Sequence, residues 1–482
     1  MNVFVKTPTP AFLNDILDVV RVFEGRPVEA SHDQAAYAIV HTEETNAEKR
    51  TVQVQLAENE HAYAFQKEGA VSSDPLVDKR LHKRLLKQCV FEVCLARYQV
   101  SPPWGSLTGI RPTRLMYMAM DDGMTIEEAE AFLRSDFHVS EEKSSLLSEI
   151  IRTQAKIPPQ AQGEIDLYCG IPFCVSRCAY CSFLSGVVGD GKLLAPYVDA
   201  LLCEIQAVTR LLHDRNLRVR AFYMGGGTPT SLPAPMLSRV LDALAPLTDG
   251  AREKTCEAGR PDTIDREKLR LLSAHGIGRI SVNPQTMHDE TLSLIGRRHT
   301  VQDTLRAFAL AREEGFRDIN MDLIAGLPGE NETMFERSCE EIERLSPESL
   351  TVHTLAIKHA SLLHLWEAKL PDGGMAARMV RRGREAAAAM GMKPYYLYRQ
   401  KYMAGNLENT AYALPGCESL YNIGMMEETA DVVAVGAGAI SKRVNTKTGK
   451  ILRAPNVSDI GEYISRVPEM TKRKEALLDA EI

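Results

Sequence analysis

The sequence predicts an α/β fold, a parallel sheet with helices outside it, preceded by a separate α+β unit and followed by an extension. Three observations carry this reading. From Glu164 onward, short β-rich runs alternate six times with helical stretches, which is the pattern of successive βαβ units. Residues 1–157 lack that alternation and group their strands together. The chain has 482 residues, 44% of them hydrophobic, more than one core usually holds.

In order along the chain, Met1–Lys6, Ala36–Glu43, Arg50–Glu58 and His61–Lys67 read as strands. A helix is expected over Ala11–Phe23 from its apolar spacing, and another over Lys79–Tyr98, where Leu81, Leu85, Leu86, Val90 and Val93 form a stripe. Pro102-Pro103-Trp104-Gly105 breaks the pattern, more helix runs to about Ile157, and Pro158–Gly163 reads as a linker. In the core, 164–360, the expected strands are Asp166–Ile171, Arg220–Met224, Lys254–Ala258, Arg279–Asn283, Asp318–Ile324 and Ser349–Leu355. Helices between them include Pro196–Arg215, Asp265–His275, Val301–Glu314 and Glu332–Leu345. The right-handed crossover rule puts all strand C-termini on one edge, where ligands bind, whether the sheet is open or closed into a barrel. The extension, 361–482, offers a helix (Ala376–Met390), a strand (Tyr395–Gln400), a loop (Gly405–Thr410), the apolar run Asp431–Ile440 and a charged, frayed tail, Lys472–Ile482.

Charge narrows the function. The 57 Lys+Arg against 64 Asp+Glu give a formal −7, which argues against a nucleic-acid partner held through phosphates. No run reaches the roughly 18 apolar residues of a membrane span, and MNVFVKTPTPAF lacks the layout of a secretory signal. The expectation is a cytoplasmic protein with neither nucleic-acid nor membrane partner. Thiols stay reduced there, so clustered cysteines point to metal or redox chemistry.

Ten cysteines are present, and three of them stand out. Cys174, Cys178 and Cys181 form C-x3-C-x2-C on a loop after a short strand. Three thiolates are one short of a closed zinc site and one short of filling a four-iron cluster. An iron left open in this way can bind a small molecule directly; a structural zinc completed by a remote Cys or His is the alternative.

This motif resembles the cluster motif of radical S-adenosylmethionine (SAM) enzymes. Tyr168 and Ile171-Pro172-Phe173-Cys174 resemble the branch containing oxygen-independent coproporphyrinogen III dehydrogenases. The resemblance spans roughly 164–445. It continues through Gly225-Gly226-Gly227-Thr228-Pro229-Thr230, Glu257, Gln285, Arg297 and Asp322, and intervals of 12, 25 and 34 residues separate Gln285, Arg297, Asp322 and Ala356 as in the family. Thr108-Gly-Ile-Arg-Pro-Thr113 and Tyr395–Gln400 are similar to the HemZ-type subgroup.

The resemblance implies a partial (β/α)6 TIM-like barrel. It also implies a [4Fe–4S] cluster on Cys174, Cys178 and Cys181, with SAM chelating the fourth iron and cleaved to a carbon radical. A low-potential electron donor of flavodoxin or ferredoxin type follows. Gly226, Gly227 and Thr228 would meet SAM's amino-acid end, since glycines bare the backbone. Glu257 and Asp322 would take amino and ribose hydroxyl groups, and Arg297 the carboxylate through its planar fork. Gln285 would add hydrogen bonds, Tyr180 would lie against the adenine, Tyr168 would contact SAM, and Ala356 would act through its backbone. Ile440 would touch a second SAM or the substrate. Cys169 reads as packing.

The implied reaction is oxidative decarboxylation of two propionates of a tetrapyrrole, coproporphyrinogen III, to vinyls. Arg297, Arg298, His299, Lys358, Arg399 and Lys401 are candidates for a basic mouth. Two departures bear on the substrate step: Phe183 stands where some dehydrogenases carry a fourth cysteine, and Gly170 where they carry His. Chaperone-like members of the branch also have Phe there, so a haem-trafficking protein without decarboxylase activity is the rival reading. His353, His359 and His364 form no convincing haem-ligand motif. A radical SAM enzyme with another substrate is a third possibility.

Overall fold

The computed structural model describes the chain except residues 26, 110, 182–185, 359–360, 366–370 and 447. Phe183, His359 and the side chain of His364 thus lie outside the described residues. The chain forms two compact units, one of Met1–Ser148 with Gly405–Leu407, the other of Glu149–Ala404 with Glu408–Ile482.

The first unit holds β1 (Asn2–Lys6), β2 (Val28–Glu29), β3 (Tyr37–Thr45), β4 (Lys49–Glu58) and β5 (His61–Ala70), in the order β2-β1-β3-β4-β5. Alternation decides which face is buried: Val52, Val54 and Leu56 on β4 are fully covered, as is Ile39 on β3. Helices Leu13–Glu24 and Pro75–Tyr98 supply Ile16, Val19, Leu86 and Val90 to the same core. The second helix starts earlier than its apolar stripe. The Asp74 carboxylate accepts the N–H groups of Leu76 and Val77, and Pro75 at the first position has no N–H to satisfy.

In the second unit, β6 (Glu164–Ile171) is followed by a two-stranded pair, β7 (Phe173–Cys174) and β8 (Gly186–Val187). Then come β9 (Arg218–Gly226), β10 (Glu253–Gly259), β11 (Arg279–Val282), β12 (Asp318–Ala325) and β13 (Ser349–Thr354). Strands β6 and β9–β13 are all parallel and neighbour one another in chain order. Helices Leu194–Asp214, Ala234–Thr248, Arg266–Ala274, Val301–Glu313 and Glu332–Leu345 make the crossovers. The six units are those the alternation predicts. The sheet is not closed: β14 (Lys393–Tyr398) and β15 (Asn409–Ala413) extend it antiparallel beyond β13. On the other side β16 (Val432–Val435) lies parallel to β6, followed by β17 (Ile440–Val444) and β18 (Ile451–Pro455).

Two expectations for the extension need correcting. The predicted loop Gly405–Thr410 already enters β15 at Asn409, because pairing with β13 and β14 uses that backbone. The tail Lys472–Ile482 is not frayed up to Asp479; most of it is the last part of the helix Ile460–Asp479. Lys474 is buried there, its Nζ 2.6 Å from Glu204 Oε1 and 2.6 Å from Asn456 Oδ1, while the Tyr463 hydroxyl donates to Glu204 Oε2. A buried charge is tolerated only when paired and hydrogen-bonded, so this network ties the tail to the helix Leu194–Asp214.

The helix Val301–Glu313 begins with a capping box. Thr300 Oγ1 accepts the Asp303 N–H, and the Asp303 carboxylate accepts the Thr300 N–H at 2.8 Å. Thr300→Ala is expected to destabilise the second unit by about 1 kcal/mol, read as a lower urea midpoint for the full chain.

Candidate functional site

The C-terminal ends of β6 and β9–β13 open on one cavity of ≈ 380 Å³. Chain direction explains the place: in parallel βαβ units the loops after the strands share an edge. Cys174 closes β7, and the next turn carries Cys178 and Cys181, with the Cys181 N–H bonded to the Cys178 carbonyl. All three thiols line the cavity, Cys178 buried and the others half-buried. The Arg260 guanidinium sits 3.7 Å from Cys178 Sγ and is held there by Ser176 and by a two-pronged pair with Asp262. It sets a positive charge against a sulfur that metal ligation requires as thiolate. Thr228 Oγ1 lies 3.5 Å from Cys174 Sγ.

The glycine run at the end of β9 admits no side chains. A Cβ on Gly227 would lie 2.4 Å from the Phe173 carbonyl oxygen, against backbone that cannot yield, and one on Gly225 would lie 2.7 Å from Glu257 Oε2. Glu257, on β10, is half-buried beside them and accepts the Tyr223 hydroxyl. Burial pushes its carboxyl up to about 7; the Tyr223 bond opposes this and the Asp322 carboxylate adds to it.

Asp322 on β12 accepts a 2.7 Å hydrogen bond from Asn320 Nδ2, and His353 Nε2 stands 3.6 Å from it. Gln285 has φ 71°, a left-handed backbone that non-glycine residues rarely adopt. It is held by two backbone bonds to β12, Gln285 N–H to Asp322 and Ile324 N–H to Gln285. Such strain persists where the surroundings over-determine it and clusters at functional sites. Arg297 donates to the Asn283 carbonyl at 2.7 Å and to the Tyr180 hydroxyl at 2.9 Å.

Twelve of the residues singled out in the sequence line this one cavity: Cys174, Cys178, Cys181, Tyr180, Gly226, Gly227, Thr228, Glu257, Gln285, Arg297, Asp322 and Ala356. Two do not. Tyr168 stacks on Tyr223 and Tyr421 beside the wall, its hydroxyl next to Gly226. Ile440 begins β17, a strand beyond β6 and β16, and is 48% exposed, so the structure does not bring it to the cavity. Of the proposed basic residues, Lys358 lines the cavity, while Arg298 and His299 border an adjoining depression of ≈ 660 Å³ with Arg297 and Arg177. Arg399 is buried and lies outside both linings, as does Lys401. Cys169 is fully buried in β6, where burial raises its thiol, in keeping with a packing role.

Sequence reasoning missed Arg260, Tyr223 and a set of wall residues: Ser281 and Asn283, Asn320, Thr351 and His353, Tyr396 and Tyr398. Their signal was present. On β11, β12 and β13, polar residues recur at every second position in otherwise apolar strands, marking the face turned from the helices.

The walls suit a polar, charged organic ligand beside a thiolate-bound cluster. Arg297 Nε, Asn283 Oδ1 and Ser281 Oγ are buried without a hydrogen-bond partner in the protein, and buried polar atoms are rarely left so. The donor set of three cysteine sulfurs on one loop is that of an iron–sulfur cluster with one open corner.

Comparison with known proteins agrees. The radical SAM superfamily profile matches residues 168–342. The chain is 40% identical, over 81% of its length and 80% of the relative, to the oxygen-independent coproporphyrinogen-III oxidase-like protein HemZ of Bacillus subtilis (strain 168). It is 30% identical to the haem chaperone HemW of Escherichia coli (strain K12), over 62% of this chain and 74% of that one. Among solved structures, coproporphyrinogen III oxidase (HemN) from Escherichia coli, described as a radical SAM enzyme, superposes with a TM-score of 0.52 at 23% identity, covering 69% of this chain and 74% of that one. The superfamily's cofactors are a [4Fe–4S] cluster and SAM, and the cavity fits both. The chain belongs to the radical SAM superfamily, in the branch of oxygen-independent coproporphyrinogen III oxidase-like proteins and haem chaperones.

Proposed function

We propose that the chain is a SAM-dependent, oxygen-independent coproporphyrinogen III dehydrogenase, converting two propionates to vinyls with loss of CO2 to give protoporphyrinogen IX. The observation that carries the reading is the assembly of the cysteine triad, the glycine edge and Glu257, Gln285, Arg297 and Asp322 in one cavity. The 40% identical relative, named as oxidase-like, supports the substrate class.

Cys174, Cys178 and Cys181 hold the cluster. When bound, the cluster and SAM supply a low-potential electron and hydrogen-atom abstraction by a carbon radical. Gly226, Gly227 and Thr228 receive the amino-acid end of SAM on bare backbone. Glu257 accepts the N–H of its amino group, Asp322 takes its ribose hydroxyls, and Arg297 its carboxylate through the unpartnered Nε. Tyr180, fixed by its bond to Arg297, lies along the adenine. Gln285 contributes further hydrogen bonds and Ala356 backbone groups. Lys358, Arg298 and Arg177 face the carboxylates of the tetrapyrrole. Electrons come from a flavodoxin- or ferredoxin-type donor.

A second reading, haem trafficking on the same cofactor scaffold, is favoured by the similarity to haem chaperones and by the sequence position of Phe183. One anaerobic assay separates them. Reconstituted protein, SAM, a strong reductant and coproporphyrinogen III should yield 5′-deoxyadenosine, CO2 and protoporphyrinogen. SAM turnover without CO2 would sink the dehydrogenase reading, and stoichiometric haem binding without SAM turnover would establish the chaperone.

A further inference from the structure

Within the first unit, three side chains meet at one point. His41 and Glu43 are two residues apart on β3 and therefore share a face. That face packs against the helix Pro75–Tyr98, which turns His82 toward them. Glu43 Oε2 is 2.5 Å from His82 Nε2 and 3.4 Å from His41 Nε2, and the three atoms all lie within 4.8 Å of one another. Neither contact has hydrogen-bond geometry: all three atoms are buried without a partner. His41 is 1% exposed and His82 8%.

The backs of these groups are occupied. His41 Nδ1 is 2.9 Å from Thr7 Oγ1, and Glu43 Oε1 accepts the Thr9 hydroxyl at 3.1 Å. The Phe12 ring packs edge-on against His82 at 4.8 Å. Each ring is thus held from behind while its Nε2 faces the common centre.

We propose that His41, Glu43 and His82 form a binding site for one divalent transition-metal ion, zinc by its ligand chemistry. Two imidazoles and a carboxylate are the three-protein-ligand set of an open zinc site, the fourth position being left to water. Calcium and magnesium demand all-oxygen shells, which this set lacks. Tetrahedral bonds of about 2.0 Å set ligand atoms about 3.3 Å apart. The His41–Glu43 contact already has that spacing, and the His82–Glu43 contact reaches it by opening less than about 1 Å. Thr7 is the outer partner that orients the His41 ring. The Glu43 side chain is 20% exposed, which leaves the ion a way in. The site involves no residue of the cysteine cavity, so it stands whether or not the proposed reaction does.

The test is metal titration of the full-length chain with its cluster iron accounted for. One equivalent of zinc per chain is expected beyond the iron, and cobalt(II) in its place should give the visible bands of a tetrahedral nitrogen–oxygen site. Glu43→Gln and His82→Gln should each weaken binding at least tenfold, and Thr7→Val about 10–100-fold, with circular dichroism checking that each variant folds. Should both ligand variants misfold, the cobalt spectrum of the unaltered chain still decides. No stoichiometric uptake overturns the proposal, as do thiolate-to-cobalt charge-transfer bands or zinc retained at full affinity in the ligand variants.

Discussion

Cys178→Ala is expected to strip the anaerobic protein of its brown colour, to bring iron to background and to take SAM cleavage below detection. Each iron of the cluster needs its own ligand, and the chain offers three on one short loop. With Cys178 gone, two thiols at Cys174 and Cys181 cannot hold the assembly, and Arg260 loses the sulfur it faces at 3.7 Å. Cys203→Ala is the control, an exposed thiol on the helix Leu194–Asp214, and should leave colour and iron unchanged. Iron analysis and the visible spectrum of both variants decide the matter; iron persisting in the Cys178 variant would overturn the cluster ligation.

The second large effect is a pH dependence. Burial raises the Glu257 carboxyl to about 7, so in the empty site it is largely protonated at pH 6 and largely ionised at pH 8. Its proposed partner, the amino group of SAM, donates an N–H that the ionised carboxylate accepts best. SAM affinity is therefore expected to improve about tenfold from pH 6 to pH 8. Glu257→Gln should flatten the profile and weaken binding at pH 8 by about 10–100-fold, the worth of a hydrogen bond to a charged group. The stability of the empty protein runs the opposite way. A carboxyl whose folded pKa is raised stabilises fully below its ordinary value near 4.5 and ceases to as pH rises through about 7. SAM should accordingly protect against denaturant more at pH 8 than at pH 6. Equilibrium dialysis across that range tests it, and a flat wild-type profile would remove Glu257 from the amino group's contacts.

Much of the site was legible because its parts are local. C-x3-C-x2-C places three thiols on one loop whatever surrounds it, and Gly225-Gly226-Gly227 at a strand end exposes backbone by its own chemistry. The residues that escaped notice depend on contacts between distant segments. Arg260 is 82 positions from Cys178 and meets it only because the ends of β6 and β10 share an edge. Gln285 was singled out by its position in the sequence, but its φ of 71° was not, because that exists only where β12 grips it on both sides. Ile440 follows a glycine-rich turn that suggests a ligand contact, yet its strand continues the sheet outward past β16.

The sequence by itself determined the alternation of six strands with helices, the cluster loop and the side of the sheet where chemistry gathers. These follow from hydrophobic period, chain direction and residue spacing, which act over a few turns or one crossover. Only the tertiary structure decided that the sheet stays open, with β15 and β16 occupying its flanks. It alone brought Lys474 to Glu204 across 270 positions, turning a charged tail into an anchored helix. It alone brought His82 to His41 and Glu43. Pairings of this kind are set by which surfaces pack together, and no local pattern in the chain encodes them.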